Sequence, residues 1–286
     1  MSATPLISII LPTHNRADML ARALDSIAAQ THRPLQVVVV DDGSNDATDT
    51  TIRAWKERHH GEGFDVRHVT QAREGAAVAR NCGLAECEGD FFLFVDDDHL
   101  LAPDAVEQLL AAQPDPELAA LTVASYGRAN SLDEATTVLP PPPYDTRKAL
   151  IEKLVDGRWN APIHAHLFSR AALDRIGSWN TSLSTQEEDD MLLRAAAQAV
   201  GFIAAPKARV WSCNTDHLPD AHDAATRMKD DIAIRENAAR ALTSRGAVQN
   251  YQPAFGDWYR RLVERYGDAA GQIEKPSPLL LWARRG

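Results

Sequence analysis

The run "FFLFVDDDHL", Phe91 to Leu100, sets five apolar residues against three consecutive carboxylates and a histidine. Crowded carboxylates repel one another, and a divalent cation among them relieves the repulsion. Oxygen donors without an accompanying cysteine favour magnesium or manganese over zinc. Such a cation would also hold a diphosphate. The chain has no other obvious cradle for one, with no GxxxxGK[ST] loop and no GxGxxG after its first apolar run. The competing reading is a solvated loop that caps the next helix. The triplet alone leaves both open. A second acidic run, "QEEDD" at Gln186 to Asp190, stands before "MLLRAA". Carboxylates in that position favour a helix N-terminus through its dipole, which keeps them ionised.

Both acidic runs need elements to hold them, and the chain alternates between two periods. "LISIIL" reads as a strand between Pro5 and Pro12, and "PLQVVVV" as a strand buried on both faces of a parallel sheet. Helical spacing appears at 17–29, at 47–59 with Ile52 and Trp55, and at 76–87. Phe64 and Val66 begin a third strand, 91–95 is the fourth, and "LAALTVASY" is the fifth. Before the fifth, Pro103 opens a helix carrying Val106, Leu109 and Leu110. Strand and helix in alternation predict a doubly wound α/β sheet. Ligands of such sheets sit outside the carboxyl ends of the strands. Those ends read "LPTHNR", "VDDGSND" and "VDDDH", so polar groups gather three times on one edge.

The prolines of "VLPPPPYD" break the rhythm and predict an extended connector. Beyond it a helix is expected at 146–155, a short strand at 164–169 and a helix at 187–199. A polar helix at 221–241 and another at 255–266 finish the chain. No internal repeat is evident. His164 and His166, two apart, are expected on one side of the short strand.

Two stretches, "ISIILPTHNRADMLARALDSIAAQTHRPLQVVVVDDGSNDAT" and "EGAAVARNCGLAECEGDFFLFVDDDH", resemble the family 2 glycosyltransferases of the GT-A fold. The resemblance runs from about Leu6 to Trp211 and is most specific in the N-terminal half. It implies a Rossmann-like, mixed and mostly parallel sheet flanked by helices. The glycosyltransferase domain would occupy 1–215, with 1–126 binding nucleotide and 127–215 serving acceptor and catalysis; 216–286 would be a helical extension. The resemblance puts Pro12, Thr13 and Arg16 around base and ribose, and Asp42, with Asp41 behind it, as acceptor from the base ring. Arg80 and Asn81 match the family's "ARN" element and imply a contact to nucleotide or sugar. Asp96 and Asp98 match "DxD": Asp98 would ligate the metal, Asp96 would stand nearer the ribose as well as the metal, and Asp97 falls at the variable middle. Trp159 and Asn160 match a segment beside the sugar, and His164 and His166 would be sugar contacts. His217, with His222 competing, lies where some members supply a late metal ligand.

Counting back from Arg194, the family's acidic pair falls on Glu187 and Glu188. A family aspartate is thus a glutamate here, unless the pair is Glu188 and Asp189. Glu188 is the expected base, with Asp189 and Glu187 behind it. The implied activity is inverting, metal-assisted transfer of a sugar from a nucleotide-diphosphate donor, with UDP or dTDP favoured, to an acceptor hydroxyl. The acceptor would be a glycan, a lipid-linked glycan, a peptide or a small molecule. A sugar-phosphate nucleotidyltransferase is the first alternative, though "LPTHNR" lacks the glycine-rich loop it would want. A silent nucleotide-sugar-binding module is the second.

Composition narrows the partners. Forty acidic side chains against 30 basic ones give a formal charge of -10, the wrong sign for gripping a nucleic acid. Cys82, Cys87 and Cys213 form no metal-type CxxC pair and read as reduced thiols. "LISIIL" is too short for a signal peptide or a membrane span, so a cytoplasmic protein without a transmembrane segment is expected. The tail, "PSPLLLWARRG", allows peripheral membrane contact or plain packing.

Overall fold

Continuous β-branched runs make the centre of the sheet. β1 (Ile7–Thr13) and β2 (Leu35–Asp42) are buried at every position, as strands covered on both faces must be. β3 (Phe64–Gln71) lies parallel to β2, and β4 (Phe91–Phe94) parallel to β1 on its other side. The structure, a computed structural model, describes residues 4–134, 137–213, 224–267 and 278–283. Within these, β5 (His99–Leu101), β6 (Ala120–Arg128), β7 (Val138–Leu139), β8 (His166–Ser169) and β9 (Gly201–Ser212) complete the sheet. Its order is β3-β2-β1-β4-β8-β6-β9-β5, with β7 paired to β6. β8 runs antiparallel to β4 and β6, and β5 antiparallel to β9. This is the mixed, mostly parallel α/β sheet that the family resemblance implies.

The chain divides into two compact units. The first, Met1–Pro141 with Ala161–Trp179 and Gly201–Asp216, holds every strand named above. It also holds α1 (Ala17–Ala28), α2 (Thr48–His59), α3 (Ala76–Ala85), α4 (Ala105–Ala112) and, numbered in chain order, α6 (Arg170–Ile176). The second, Pro142–Asn160 with Asn180–Val200 and His217–Gly286, is helical: α5 (Arg147–Val155), α7 (Glu187–Ala197), α8 (Ala224–Ser244), α9 (Gln252–Tyr266) and α10 (Pro278–Ala283).

α3 lies against β1 and β2 because Gly83 lets it. A Cβ there would come within 2.7 Å of Ile10 Cγ2 and 3.0 Å of Val40 Cγ2. This close approach fixes the helix that carries Arg80. Gly83→Val is expected to destabilise the fold by about 1–3 kcal/mol through overpacking, read as a lowered denaturant midpoint.

Three differences from the sequence reading have physical causes. Ile163–Ala165 form a 3-10 turn and the strand starts only at His166, so His164 and His166 do not share a strand face. Both are fully buried, as neutral rings: burial drives the His166 imidazole down to about 4 and that of His164 well below its usual range. Second, β9 was not expected, since Pro206 interrupts its run. The strand accommodates the interruption where its register against β6 shifts between Ala124 and Ser125. Third, β5 follows the acidic triplet directly, and three residues are too few for periodicity to reveal.

In the second unit, the acidic run starts α7 as its dipole favours, with Glu187, Glu188, Asp189 and Asp190 in the first turn. The segment leading in is held from α8. Asp230 Oδ2 accepts the backbone N–H groups of Ser184 and Thr185, both at 2.8 Å. At the other end the Arg147 guanidinium donates to the carbonyls of Ala196 and Ala197. No helix among the described residues is long and apolar enough to cross a membrane.

Candidate functional site

The parallel register brings the carboxyl ends of the central strands level, Thr13 opposite Asp41 and Ile10 opposite Phe94. The loops beyond them are laced together. His14 Nδ1 donates to the Asp42 carbonyl (2.8 Å), the Asn15 N–H to Ser44 Oγ (2.9 Å), and the Asn45 N–H to Asn15 Oδ1 (2.8 Å). Asn15 turns in the left-handed region, φ 52°, which asparagine tolerates. "LPTHNR" and "DDGSND" therefore form one rigid floor.

Asp97, at the variable middle of the acidic triplet, clasps the third loop to that floor. Its Oδ2 accepts from Thr13 Oγ1 (2.8 Å) and its Oδ1 from Arg16 Nη1 (3.0 Å). Burial pushes the Asp97 carboxyl up to about 6, against the pull of Arg16 and the Thr13 hydroxyl, with Asp96 adding to the rise. The clasp leaves Asp96 and Asp98 on either side. A donor atom from each of these and one from His99 all lie within 4.8 Å of one another, so this is the candidate metal site. Burial works against charge on Asp96, yet Arg80, His99 and Arg16 together hold its carboxyl below the usual range. Two hard carboxylates suit magnesium or manganese.

His99 is a participant that the motif reading left unassigned. Its Nδ1 accepts the Asp96 N–H at 3.0 Å, and its Nε2 faces Asp98 Oδ1 at 3.4 Å, so the ring bridges the two carboxylates. The ring stacks on His164, centroids 3.5 Å apart. Its position three residues after Asp96 was the available signal.

Arg80 is buried and donates from Nη2 to Asp96 Oδ1 at 2.8 Å. Its guanidinium sits over the Trp179 ring, 4.5 Å from the centroid, and that ring meets Phe94 edge-on at 4.9 Å. Asn81 fixes the tryptophan: its Nδ2 donates to the Trp179 carbonyl (3.0 Å) and its Oδ1 accepts the Trp179 N–H (2.8 Å). Trp179, in "GSWN", was also missed, since a lone aromatic after a glycine announces nothing. Trp179→Ala is expected to cost about 3–5 kcal/mol of stability and to weaken manganese binding by releasing Arg80 from Asp96. Trp179→Phe keeps a ring for both contacts and should preserve most of each, checked by denaturant midpoint and manganese titration.

The other expected residues are placed as follows. Pro12 is buried in β1 opposite Val40. Asp41 Oδ1 accepts the Ser44 N–H at 2.9 Å. Asp42 accepts from Gln71 Nε2 and the Glu74 N–H on Oδ1 and from the Gly75 N–H on Oδ2, so Oδ2 carries the lighter load. Glu187, Glu188, Asp189, Trp159 and Asn160 belong to the second unit, where Trp159 is buried with its ring 6.1 Å from that of Tyr144. His217 and His222 lie outside the described residues.

Comparison with known proteins matches this arrangement to one family. Residues 8–177, more than half the chain, fit the sequence profile of glycosyl transferase family 2. The chain is 36% identical over 103 residues to "Glycosyltransferase GlyA" of Streptococcus pneumoniae serotype 4, which spans 36% of this chain and 14% of that protein. In general it covers less than a third of the length of the curated relatives first matched. The same fold occurs in residues 1–349 of S. aureus TarS in complex with UDP-GlcNAc: TM-score 0.66, 16% identity, 98% of this chain and 87% of that one. It occurs again in the mannosyltransferase PcManGT from Pyrobaculum calidifontis in complex with GDP-Man and Mn2+: TM-score 0.62, 18% identity, 100% of this chain and 80% of that one. With its laced strand-end loops and its paired aspartates on a GT-A sheet, the chain belongs to glycosyl transferase family 2.

Proposed function

We propose that this protein transfers a sugar from a nucleotide-diphosphate donor to an acceptor hydroxyl by a single displacement that inverts the anomeric carbon. The observation that carries the reading is the convergence of Asp96, Asp98 and His99 at the strand edge, where Thr13, Arg16, Asp41 and Asp42 are already assembled. A divalent cation, manganese or magnesium, would be held by Asp98 and Asp96. When bound it would offset charge on the departing diphosphate, so no protein acid is needed to protonate the leaving group.

The chain's own groups then have separate tasks. Arg80 orients Asp96, and Asp97 keeps the floor and the acidic loop in one piece. Asp42, or Asp41 beside it, would accept from a ring N–H of the base, which suits uracil or thymine. Pro12, Thr13 and Arg16 would line base and ribose. Trp159 and Asn160 would stand beside the sugar. Glu188 would take the acceptor proton as its oxygen attacks, with Asp189 and Glu187 as the other members of the run. A positioned base contributes about 10²- to 10⁴-fold.

The stereochemistry is open to test by proton NMR of an α-linked UDP- or dTDP-sugar incubated with enzyme and manganese. Slow transfer to water should release the β-sugar first. Early α-sugar would contradict inversion, and growth of a sugar 1-phosphate would point to nucleotidyl chemistry instead.

A further inference from the structure

The second unit contains a cavity of about 270 Å³ whose arginine wall none of the roles above uses. Its wall sets four guanidiniums, Arg158, Arg235, Arg261 and Arg265, against three carboxylates, Asp156, Asp189 and Asp231, an excess of one positive charge. The acids do not satisfy the arginines. Asp156 pairs with Arg158, and Arg261 Nη2 stands 3.8 Å from it, buried and making no hydrogen bond. Arg235, 3% exposed, places Nη1 2.7 Å from Asp231 Oδ1 as an ion pair, yet its N–H groups there make no hydrogen bond. That aspartate oxygen already accepts Trp258 Nε1–H at 3.1 Å.

One buried guanidinium nitrogen on the cavity wall, Arg261 Nη2, is thus left without a hydrogen-bond acceptor, and a second, Arg235 Nη1, is ion-paired but poorly aligned to the oxygen it faces. A buried N–H without an acceptor is destabilising, the more so on a charged group. Such donors in a polar cavity call for a group that brings oxygen atoms. Guanidinium forks match phosphate and carboxylate two bonds at a time. Gln186 and Asp189, on the same wall, offer an amide and a carboxylate suited to hydroxyls.

We propose that this cavity is an oxyanion site, taking the phosphate or carboxylate of a small hydroxylated ligand on Arg235 and Arg261. The natural ligand would then be the acceptor, a phosphorylated polyol or an acidic sugar. That last identification rests on the transfer reading, whereas the anion site does not.

The test is calorimetric titration of the full chain, in chelator, with inorganic phosphate, glycerol phosphate and glucuronate. One phosphate-bearing ligand or glucuronate should bind at one per chain, and which of them binds identifies the anion. Arg261→Gln should weaken that binding about tenfold or more, with unchanged circular dichroism and unchanged binding of UDP with manganese. Arg261→Lys should lose less. Should Arg261→Gln fail to fold, Arg265→Gln, at an exposed position of the same wall, takes its place with the same expectation. Absence of saturable binding by all three probes, or equal binding in a folded variant, overturns the site. Failure of UDP, GDP and dTDP alike to bind with manganese while phosphate binding persists would remove the transfer reading and leave the cavity standing.

Discussion

Asp98→Asn is expected to abolish manganese-dependent nucleotide binding and to reduce turnover by at least about 100-fold. The side chain is buried between Arg16 Nη1 at 3.8 Å and His99 Nε2 at 3.4 Å, and asparagine fits the same space. What changes is charge. With one carboxylate gone, the site keeps Asp96 alone beside two guanidiniums, an environment that disfavours a cation. Asp97→Asn is the informative contrast. It removes an acceptor for Arg16 and Thr13 and so loosens the floor, yet leaves both proposed ligands. Its loss should appear in stability and nucleotide affinity, with manganese dependence retained. If the two variants behave alike under manganese titration, the division of labour within the triplet is wrong.

Glu188→Gln should bind UDP with manganese normally while kcat falls by about 10²- to 10⁴-fold. Glutamine preserves length and helix propensity and removes only the ability to take a proton. The position is fixed by α7, whose entry is clamped by Asp230 and whose fourth residue, Asp190, is paired with Arg194 at 2.6 Å. Asp189 lines the arginine cavity, and burial raises its carboxyl against the pull of Arg235, with Asp231 adding to the rise and Arg265 opposing it. Asp189→Asn is therefore expected to keep most of kcat. Activity surviving in Glu188→Gln but lost in Asp189→Asn would move the base one residue along the helix.

The parts of this fold that the sequence disclosed are those whose signal is local. "VVVV" can only be a strand buried on both faces, and the three polar strand ends follow from where such strands stop. Helices with a clear apolar face, such as α1, were legible to within a residue. The antiparallel insertion of β8 between β4 and β6 was not, because strand order depends on distant pairing that no window contains. His164 looked like a ligand-facing residue and is instead a buried ring stacked on His99, since a histidine in an apolar run reads the same in either role. Asp97 reads in the sequence as the variable middle of a donor-binding motif, and its clasp on Thr13 and Arg16, which joins residues over eighty positions apart, has no local signal. Asn81, expected at the nucleotide, spends its amide on Trp179 for the same reason of distance.

On the proposed reading the DDDH strand end is a diphosphate–metal site, and calorimetric titration with UDP, GDP and dTDP, each in manganese and again in chelator, decides it. Saturable binding of one nucleotide that disappears in chelator, with UDP or dTDP tighter than GDP, is the predicted result. Binding of none of them in manganese, or equal binding in chelator, would contradict it and leave Asp96 and Asp98 as structural partners of Arg80, Arg16 and His99.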